Sequence, residues 1–292
     1  MRGLSPGFRA SRRALLLGAA ALSATRTAAA RLAPRVVSIG GGITEIVYAI
    51  GAQKLLVGVD TTSNFPDAAS ALPNVGYARA LSAEGVLALA PTLVLAAGDA
   101  GPPAVLRQIR QAGIAVELLE ADHSFEGLIG RIQRIGGLTG RAEAARAVAD
   151  KITRDWAGVR RRVTAAEQSP RVLFLMGFDT ARLMVAGRRT AAQAMLDYVG
   201  ARNAAEGFTG YKPLTPEALI SARPDVLLTT RQALDAGGGV SGLLHLPGMA
   251  QTPAGRAQRV VASETMFLLG FGPRLPAAVD ALHGELAAAM RS

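Results

Sequence analysis

The sequence predicts an α/β protein of two Rossmann-like lobes with parallel sheets, joined by one long rigid α-helix, with a ligand cleft between the lobes. Three observations support this prediction. Short apolar runs alternate with amphipathic segments, a pattern typical of parallel sheets flanked by helices. One motif recurs about half a chain later, and a segment free of proline and nearly free of glycine separates the two copies.

In the first lobe, strands and helices alternate from residue 35. "RVVSIG" at 35–40 predicts a strand, and "ITEIVYAIGA" at 43–52 predicts an amphipathic helix. The turn between them, "SIGGGITE", lacks the third glycine of a dinucleotide-binding G-x-G-x-x-G motif, so we interpret it as a turn lining the cleft. Further strands are predicted at 55–60, 92–97 and 114–120, and a further helix at 102–113.

The repeated motif begins at Leu81 in the first copy and at Leu214 in the second, an offset of 133 residues. Each copy reads leucine, hydroxyl residue, small residue, glutamate, a short apolar helix, X-Pro and an apolar strand. Ser82 and Thr215 suit the N-cap position, and an acid follows in each first turn, where it meets the helix dipole. Each copy is preceded by a tyrosine. The helices should end before Pro91 and Pro224.

Residues 140–168 predict a single helix, with apolar residues at steps of three and four. A rigid helix in this place would leave the lobes little relative motion. The second lobe repeats the plan of the first, with strands predicted at 171–177, 225–230 and 259–263 and helices at 190–200, after Thr215 and at 276–290. The expected organisation is a signal at 1–30, an N-terminal lobe at 31–138, a connecting helix at 139–168 and a C-terminal lobe at 169–292.

The first 30 residues have the layout of an export signal, with a basic start, an apolar run at 14–22 and small residues before the expected cleavage point. The pair Arg12-Arg13 is compatible with a twin-arginine signal, and an ordinary Sec signal fits equally well.

The chain carries a net charge of +10. Without the five arginines of the first 30 residues, 27 basic and 22 acidic residues remain. No basic stripe interleaved with aromatic residues points to nucleic acid. The chain has no cysteine, so we expect no disulfide and no thioether-linked lipid anchor. These features predict a soluble, monomeric periplasmic protein.

Four segments carry a resemblance to a known family: "GYARALSAEGVLALAPTLVLA", "VAGRRTAAQAMLDYVGARNAA", "YKPLTPEALISARPDVLL" and "LLGFGPR". With the two lobes and the connecting helix, the chain resembles the helical-backbone (class III) substrate-binding proteins of ABC importers, which carry vitamin B12, iron-siderophores or haem. The segments resemble the haem-binding branch in particular. The resemblance covers essentially all of the chain after the signal.

The resemblance implies that Tyr77 is an axial ligand to haem iron. Phenolate is a hard anionic donor that suits ferric iron, and tyrosine ligation of haem is an established mode. A cation beside the phenol oxygen favours its ionised form, and Arg79 and Arg231 are the candidates for contacts with the phenolate or a haem propionate. The alternative for Tyr77 is a structural tyrosine that bonds a carbonyl at the lobe interface, and for Arg79 a solvated charge.

The sequence gives less support to methionine or histidine side chains as ligands of the haem iron. Some relatives place a histidine after the first strand of the second lobe, where this chain has Met176, which we expect to line the core or the cleft. His123, His245 and His283 have no metal-ligand spacing. We therefore expect one haem with Tyr77 as its sole protein ligand, or with a weak sixth ligand that the sequence does not identify.

The resemblance also implies that Glu84 and Glu217 contact arginines of an ABC permease dimer, one acid for each lobe. A simple first-turn charge on the helix dipole is compatible with this role. The functions to compare are delivery of haem, delivery of cobalamin or an iron-siderophore, and an exported enzyme. Against an enzyme, the chain has no G-x-S-x-G, no H-E-x-x-H and no cysteine nucleophile.

Overall fold

A computed structural model describes residues 34–120, 122–165, 169–178 and 183–291. From Arg35 onward the chain forms one compact unit. The predicted export signal at 1–30 lies outside the described residues. Within them, no helix is long and apolar enough to cross a membrane.

The first half of the chain builds a four-stranded, fully parallel sheet, as predicted. Its order is β2-β1-β3-β4, with β1 at Val36–Ile39, β2 at Leu56–Val59, β3 at Leu93–Ala97 and β4 at Ala115–Leu119. The helices are α1 (Gly41–Ala49), α2 (Ala83–Leu87), α3 (Pro103–Gln111) and α4 (Phe125–Leu138).

Helix α4 is absent from the sequence-based predictions because its four glycines lower its helix propensity. Its buried apolar face, which includes Leu128, Ile132 and Ile135, compensates by packing into the core. Ser124 caps its N-terminus by accepting a hydrogen bond from the backbone N–H of Gly127 at 2.8 Å.

The second sheet is mixed, which corrects the prediction that both sheets are parallel. Its main path is β10-β9-β5-β6-β8, and β7 pairs with the start of β5. Strand β6 is antiparallel to β5 and β8 is antiparallel to β6, because the few residues between β5 and β6 are too short for a parallel crossover. The strands are β5 (Arg171–Phe178), β6 (Leu183–Ala186), β7 (Arg202–Asn203), β8 (Tyr211–Leu214), β9 (Val226–Thr230) and β10 (Val260–Ser263).

The remaining helices include the predicted connector, α5, at Ala142–Thr164. It packs against α4 and against α12, so it contacts elements of both halves. The others are α6 (Ala191–Tyr198), α7 (Pro216–Ala222), α8 (Arg231–Ala236), α9 (Gly239–Leu244), α10 (Pro253–Arg256), α11 (Thr265–Leu269) and α12 (Leu275–Arg291). The last part of the predicted connector, residues 166–168, lies outside the described residues.

The two halves are also in direct contact beside the connector. Gly42 of α1 approaches the backbone of Gly270 so closely that an added Cβ would stand 2.3 Å from the Gly270 carbonyl oxygen. Next to this contact, Arg274 forms two hydrogen bonds with the buried carboxylate of Glu45, at 2.5 and 2.9 Å. One apolar cluster runs through residues of both sheets and α5. These contacts join the two halves beside the connector, and the limited motion between the lobes stays a prediction.

The repeated motif forms the same structure twice. Ser82 accepts a hydrogen bond from Gly85 N and Thr215 from Ala218 N, which confirms both N-caps. Each short helix then leads into a parallel strand of its sheet, β3 or β9. The residues before the two prolines, Ala90 and Arg223, both take left-handed conformations, with φ of 44° and 45°.

Candidate functional site

Tyr77 stands on an exposed turn held between the end of β2 and the loop after β3. Gly76 before it has a φ of +94°, a conformation that favours glycine. The Gly76 carbonyl accepts from Thr61 N at 3.0 Å, and the Ala78 carbonyl accepts from Gly101 N at 2.9 Å. The tyrosine is 42% exposed, so its ring fills little core, as the sequence predicts.

A line of polar contacts connects Tyr77 to the end of β3. Nη1 of Arg79 donates to the Tyr77 hydroxyl at 2.5 Å, while Nε and Nη2 donate to Oδ2 of Asp99 at 2.8 and 2.6 Å. Burial lowers the pKa of Arg79, but the hydrogen bonds and charge of Asp99 outweigh it and raise that pKa overall. A cation held in place by Asp99 therefore lies against the phenol oxygen.

Tyr211, the tyrosine before the second copy of the repeat, belongs to the other half of the molecule. It begins β8 and is 37% exposed. Partial burial raises the pKa of Tyr211, whereas the positive charge of Arg79 and a hydrogen bond with Thr190 act to lower it. The positive charge of Arg79 thus acts on both tyrosines.

Few large apolar side chains are exposed in the described part of the chain. In addition to Tyr77 and Tyr211, they are Phe65, Met176 and Val240. Met176 follows four fully buried residues of β5 and is 37% exposed, in agreement with a lining role rather than a core role. The guanidinium of Arg274 lies over the ring of Phe65, with Cζ of Arg274 3.9 Å from the centroid of that ring.

Arg231 is not brought to Tyr77 by any contact among the described residues. It is the first residue of α8 and is exposed. Its charge acts on Glu285 of α12, where it opposes the effect of burial, which raises the pKa of that carboxyl group. Its predicted contact with the phenolate or a propionate stays a prediction.

Glu84 and Glu217 occupy matching positions, each in the first turn of an N-capped helix, and both are exposed. Hydrogen bonds from its own backbone N–H and from the Thr215 hydroxyl lower the pKa of Glu217. Both positions present an acid to solvent, as docking to a basic surface requires.

The histidines occupy unrelated places. The ring of His123 packs edge-on against Phe271, with centroids 5.1 Å apart. His245 is exposed, and its Nδ1 lies 2.7 Å from the Ser241 carbonyl oxygen. His283 lies 3.3 Å from the Val199 carbonyl oxygen. Within the described residues, no cluster of three or more His, Asp or Glu side chains could hold a bare metal ion.

Two residues of the site, Asp99 and Tyr211, are absent from the sequence-based site predictions. Asp99 follows β3 at the carboxyl end of a parallel sheet, where ligand-binding residues gather, and that position was a usable signal. Tyr211 was visible as the counterpart of Tyr77 in the repeat. The contact of Asp99 with Arg79 depends on the fold and has no local signature.

The sequence profile of the periplasmic binding proteins matches residues 36–264. The chain belongs to this family. Two solved structures are similar to this periplasmic binding protein over nearly its whole described length. The periplasmic heme-binding protein BhuT, in complex with two hemes, is 47% identical with a TM-score of 0.85, covering 88% of this chain and 99% of that one. The periplasmic heme-binding protein RhuT from Roseiflexus sp. RS-1, in apo form, is 40% identical with a TM-score of 0.85, covering 89% and 100%.

Curated relatives of this periplasmic binding protein are more distant. The uncharacterized ABC transporter substrate-binding lipoprotein YvrC of Bacillus subtilis (strain 168) is 26% identical over 251 residues, which are 85% of this chain and 78% of that protein. The vitamin B12-binding protein of Yersinia pestis (strain Pestoides F) is 25% identical over 205 residues, or 70% and 72%. The resemblance to the class III proteins and the two-lobed α/β fold class are thereby confirmed.

Proposed function

We propose that this protein captures ferric haem in the inter-lobe cleft, with Tyr77 as axial ligand, and delivers it unchanged to an ABC importer in the inner membrane. The observation that carries the proposal is Tyr77 itself, an exposed tyrosine whose hydroxyl accepts a hydrogen bond from Arg79. Haem brings four of its own nitrogen ligands, so one protein oxygen is enough, and a cluster of metal-binding side chains is not needed. The 47% and 40% identity to heme-binding proteins supports the same cargo.

Arg79 serves two purposes in this proposal. Its hydrogen bond holds the Tyr77 hydroxyl in position for bonding to ferric iron, and the N–H groups that its 62% exposed side chain has left over can pair with a carboxylate of the cargo. Arg231 is proposed as a second propionate contact from the other lobe. The family relationship and the predicted export signal support a periplasmic location. YvrC is named a lipoprotein, whereas this chain contains no cysteine for a thioether-linked lipid.

The direct test is titration of the mature protein with hemin, followed by visible absorption. A charge-transfer band typical of high-spin ferric haem bound by tyrosinate is expected. Tyr77→Phe should remove or strongly shift that band, whereas Tyr48→Phe on α1 should leave it unchanged. A flat titration of the wild-type protein would contradict the proposal.

A second candidate cargo is cobalamin, favoured by the vitamin B12-binding relative, and an iron-siderophore is a further member of the same class. Neither cargo needs a phenolate on iron at Tyr77. Competition separates them: if cyanocobalamin or a ferric siderophore displaces hemin at equal concentration, the cargo assignment changes, and Tyr77→Phe should then have little effect on binding.

A further inference from the structure

Phe65, on the loop after β2, is exposed although its side chain is wholly apolar. Of the phenylalanines whose side chains the structure describes, only Phe65 is exposed, at 42%. The guanidinium of Arg274 covers one face of its ring, with Cζ 3.9 Å from the centroid. A ligand can therefore reach the ring only from the side that Arg274 leaves open. Because removal of apolar surface from water is favourable, this open side suits contact with an apolar ligand surface.

Contacts of the loop place Phe65 where the two halves of the molecule meet. The loop follows the carboxyl end of β2, and Thr61 N donates to the Gly76 carbonyl at 3.0 Å, so it begins beside the turn that carries Tyr77. Four residues later, Phe65 contacts Arg274, which follows β10 and α11 of the second half. Ligand-binding residues gather outside the carboxyl ends of parallel strands. Phe65 thus lies at the end of the first sheet where a cargo between the lobes would bind.

Buried hydrogen bonds fix the loop that carries this ring. Asp60, at the start of the loop, is only 1% exposed. Its carboxylate accepts from Gly40 N at 2.8 Å, from the Thr62 hydroxyl at 2.8 Å and from the Ser63 hydroxyl at 2.9 Å. The loop is therefore tied to the turn between β1 and α1. A contact surface that is already ordered loses less conformational freedom when a ligand binds.

Arg274 supports the ring of Phe65 from a fixed position. Its guanidinium forms two hydrogen bonds with Glu45, at 2.5 and 2.9 Å, and its Cζ lies 5.1 Å from the ring centroid of Phe267. Phe267 is only partly exposed and packs against the apolar core. Two phenylalanine rings therefore contact the same cation, and only that of Phe65 is exposed.

We propose that Phe65 is a cargo-contacting residue, whose ring packs against the apolar surface of the bound macrocycle and makes no bond to iron. The inference rests on the proposed function for the identity of the cargo. It names the ligand surface that Phe65 recognises as a flat conjugated ring, with or without a metal. Aromatic side chains bury a large apolar area and stack on such rings in offset or edge-to-face geometry.

The test uses hemin and iron-free protoporphyrin IX as separate probes. Phe65→Ala should weaken binding of both about tenfold, equivalent to about 1.4 kcal/mol, and should keep the charge-transfer band of hemin. Phe65→Tyr retains the ring and should bind both within about twofold of wild type. The matched control is Phe267→Ala, which removes the other ring beside Arg274 and should bind both probes as wild type does. Circular dichroism and thermal unfolding establish that each variant is folded.

Several outcomes would overturn the inference. One is wild-type affinity in Phe65→Ala, and another is a loss confined to hemin, because the contact would then depend on iron. Equal weakening by Phe267→Ala would show that the effect arises from altered packing around Arg274. Should Phe65→Ala fail to fold, Phe65→Leu serves in its place, with a severalfold loss expected for both probes and wild-type affinity contradicting the inference.

Failure of this inference can be distinguished from failure of the proposed function. If the wild-type protein binds neither probe, both fail. If the wild-type protein binds hemin and the Phe65 variants bind it equally well, only the inference about Phe65 is removed.

Discussion

Arg79 donates a hydrogen bond to the Tyr77 hydroxyl from one edge of its guanidinium, and its other edge is held by Asp99. The carboxylate thus fixes the position of the cation, and the cation lies on the oxygen proposed to bind iron. Partners one step removed from a metal ligand orient it and tune its basicity. Asp99 is therefore a positioning residue for the Tyr77 oxygen.

Replacing Asp99 by Asn should loosen Arg79 without removing it. We expect hemin affinity to fall about tenfold, in the range typical of residues that orient a metal ligand, and the charge-transfer band to shift. Equilibrium titration and visible spectra measure the two effects.

The matched control for Asp99→Asn is Glu117→Gln, which weakens another arginine–carboxylate pair, that of Glu117 with Arg134. This pair joins β4 to α4 and has no described contact with Tyr77. If Asp99→Asn matched this control in both affinity and spectrum, Asp99 would have no role in positioning the ligand.

The docking role of the two acids is testable apart from cargo binding. Glu84→Ala combined with Glu217→Ala should leave hemin binding as in wild type, because both side chains are exposed on short helices. Uptake of haem into vesicles that contain the cognate importer should fall at least about tenfold, since complementary charges at an interface speed association and hold the register.

The control for docking is the double variant Glu126→Ala with Glu143→Ala. These are also exposed first-turn acids, of α4 and α5, so they match the tested pair in local chemistry. Equal uptake by the two double variants would remove the docking proposal.

Features set by residues close together in the sequence could be predicted, whereas features set by contacts between distant segments could not. Both N-caps, the connector and the first sheet follow from local patterns, and all are observed. The hairpin of β5 and β6 was missed because "LFLMGFDTARLM" appears as a loop when strands are expected to be parallel. Helix α4 was missed because tertiary burial of Leu128 and Ile132 overrides its glycine content.

The same distinction between local and long-range contacts applies to the candidate site. The Tyr-x-Arg spacing places Tyr77 and Arg79 on one turn, so their contact could be expected from the sequence. Asp99 lies 20 residues from Arg79, and its contact depends on the loop after β3 meeting that turn.

The pH dependence of stability should include a contribution from His123. Burial, reinforced by the charge of Arg131, lowers the pKa of His123 below its ordinary value of 6.5, although Asp122 and Asp99 oppose the shift. The unfolded chain therefore takes up this proton at higher pH than the folded one, so the free energy of unfolding should decrease as pH falls below about 6.5.

Chemical denaturation at about pH 7.5 and about pH 5.5 measures this contribution. His123→Asn should show a smaller decrease than wild type. Asparagine is a suitable replacement because it tolerates the left-handed backbone at this position, where φ is 54°. His245→Asn, on an exposed turn, is the control and should keep the wild-type decrease. An unchanged decrease in His123→Asn would refute the role of this residue.

The Glu45–Arg274 pair should be a major connection between the lobes. Only 4% of the Glu45 side chain and 23% of the Arg274 side chain are exposed, so removal of the cation leaves a carboxylate without its main partner in a poorly hydrated place. Arg274→Met should lower the free energy of unfolding by about 3 kcal/mol, the lower end of the cost for breaking a buried ion pair. Arg162→Met, which breaks a pair with Asp280 whose side chains are 57% and 47% exposed, should cost less than about 1 kcal/mol. Urea unfolding of both variants measures the two losses in the free energy of unfolding. Equal losses would mean that apolar packing and the connector hold the lobes together, without a special contribution from the Glu45–Arg274 pair.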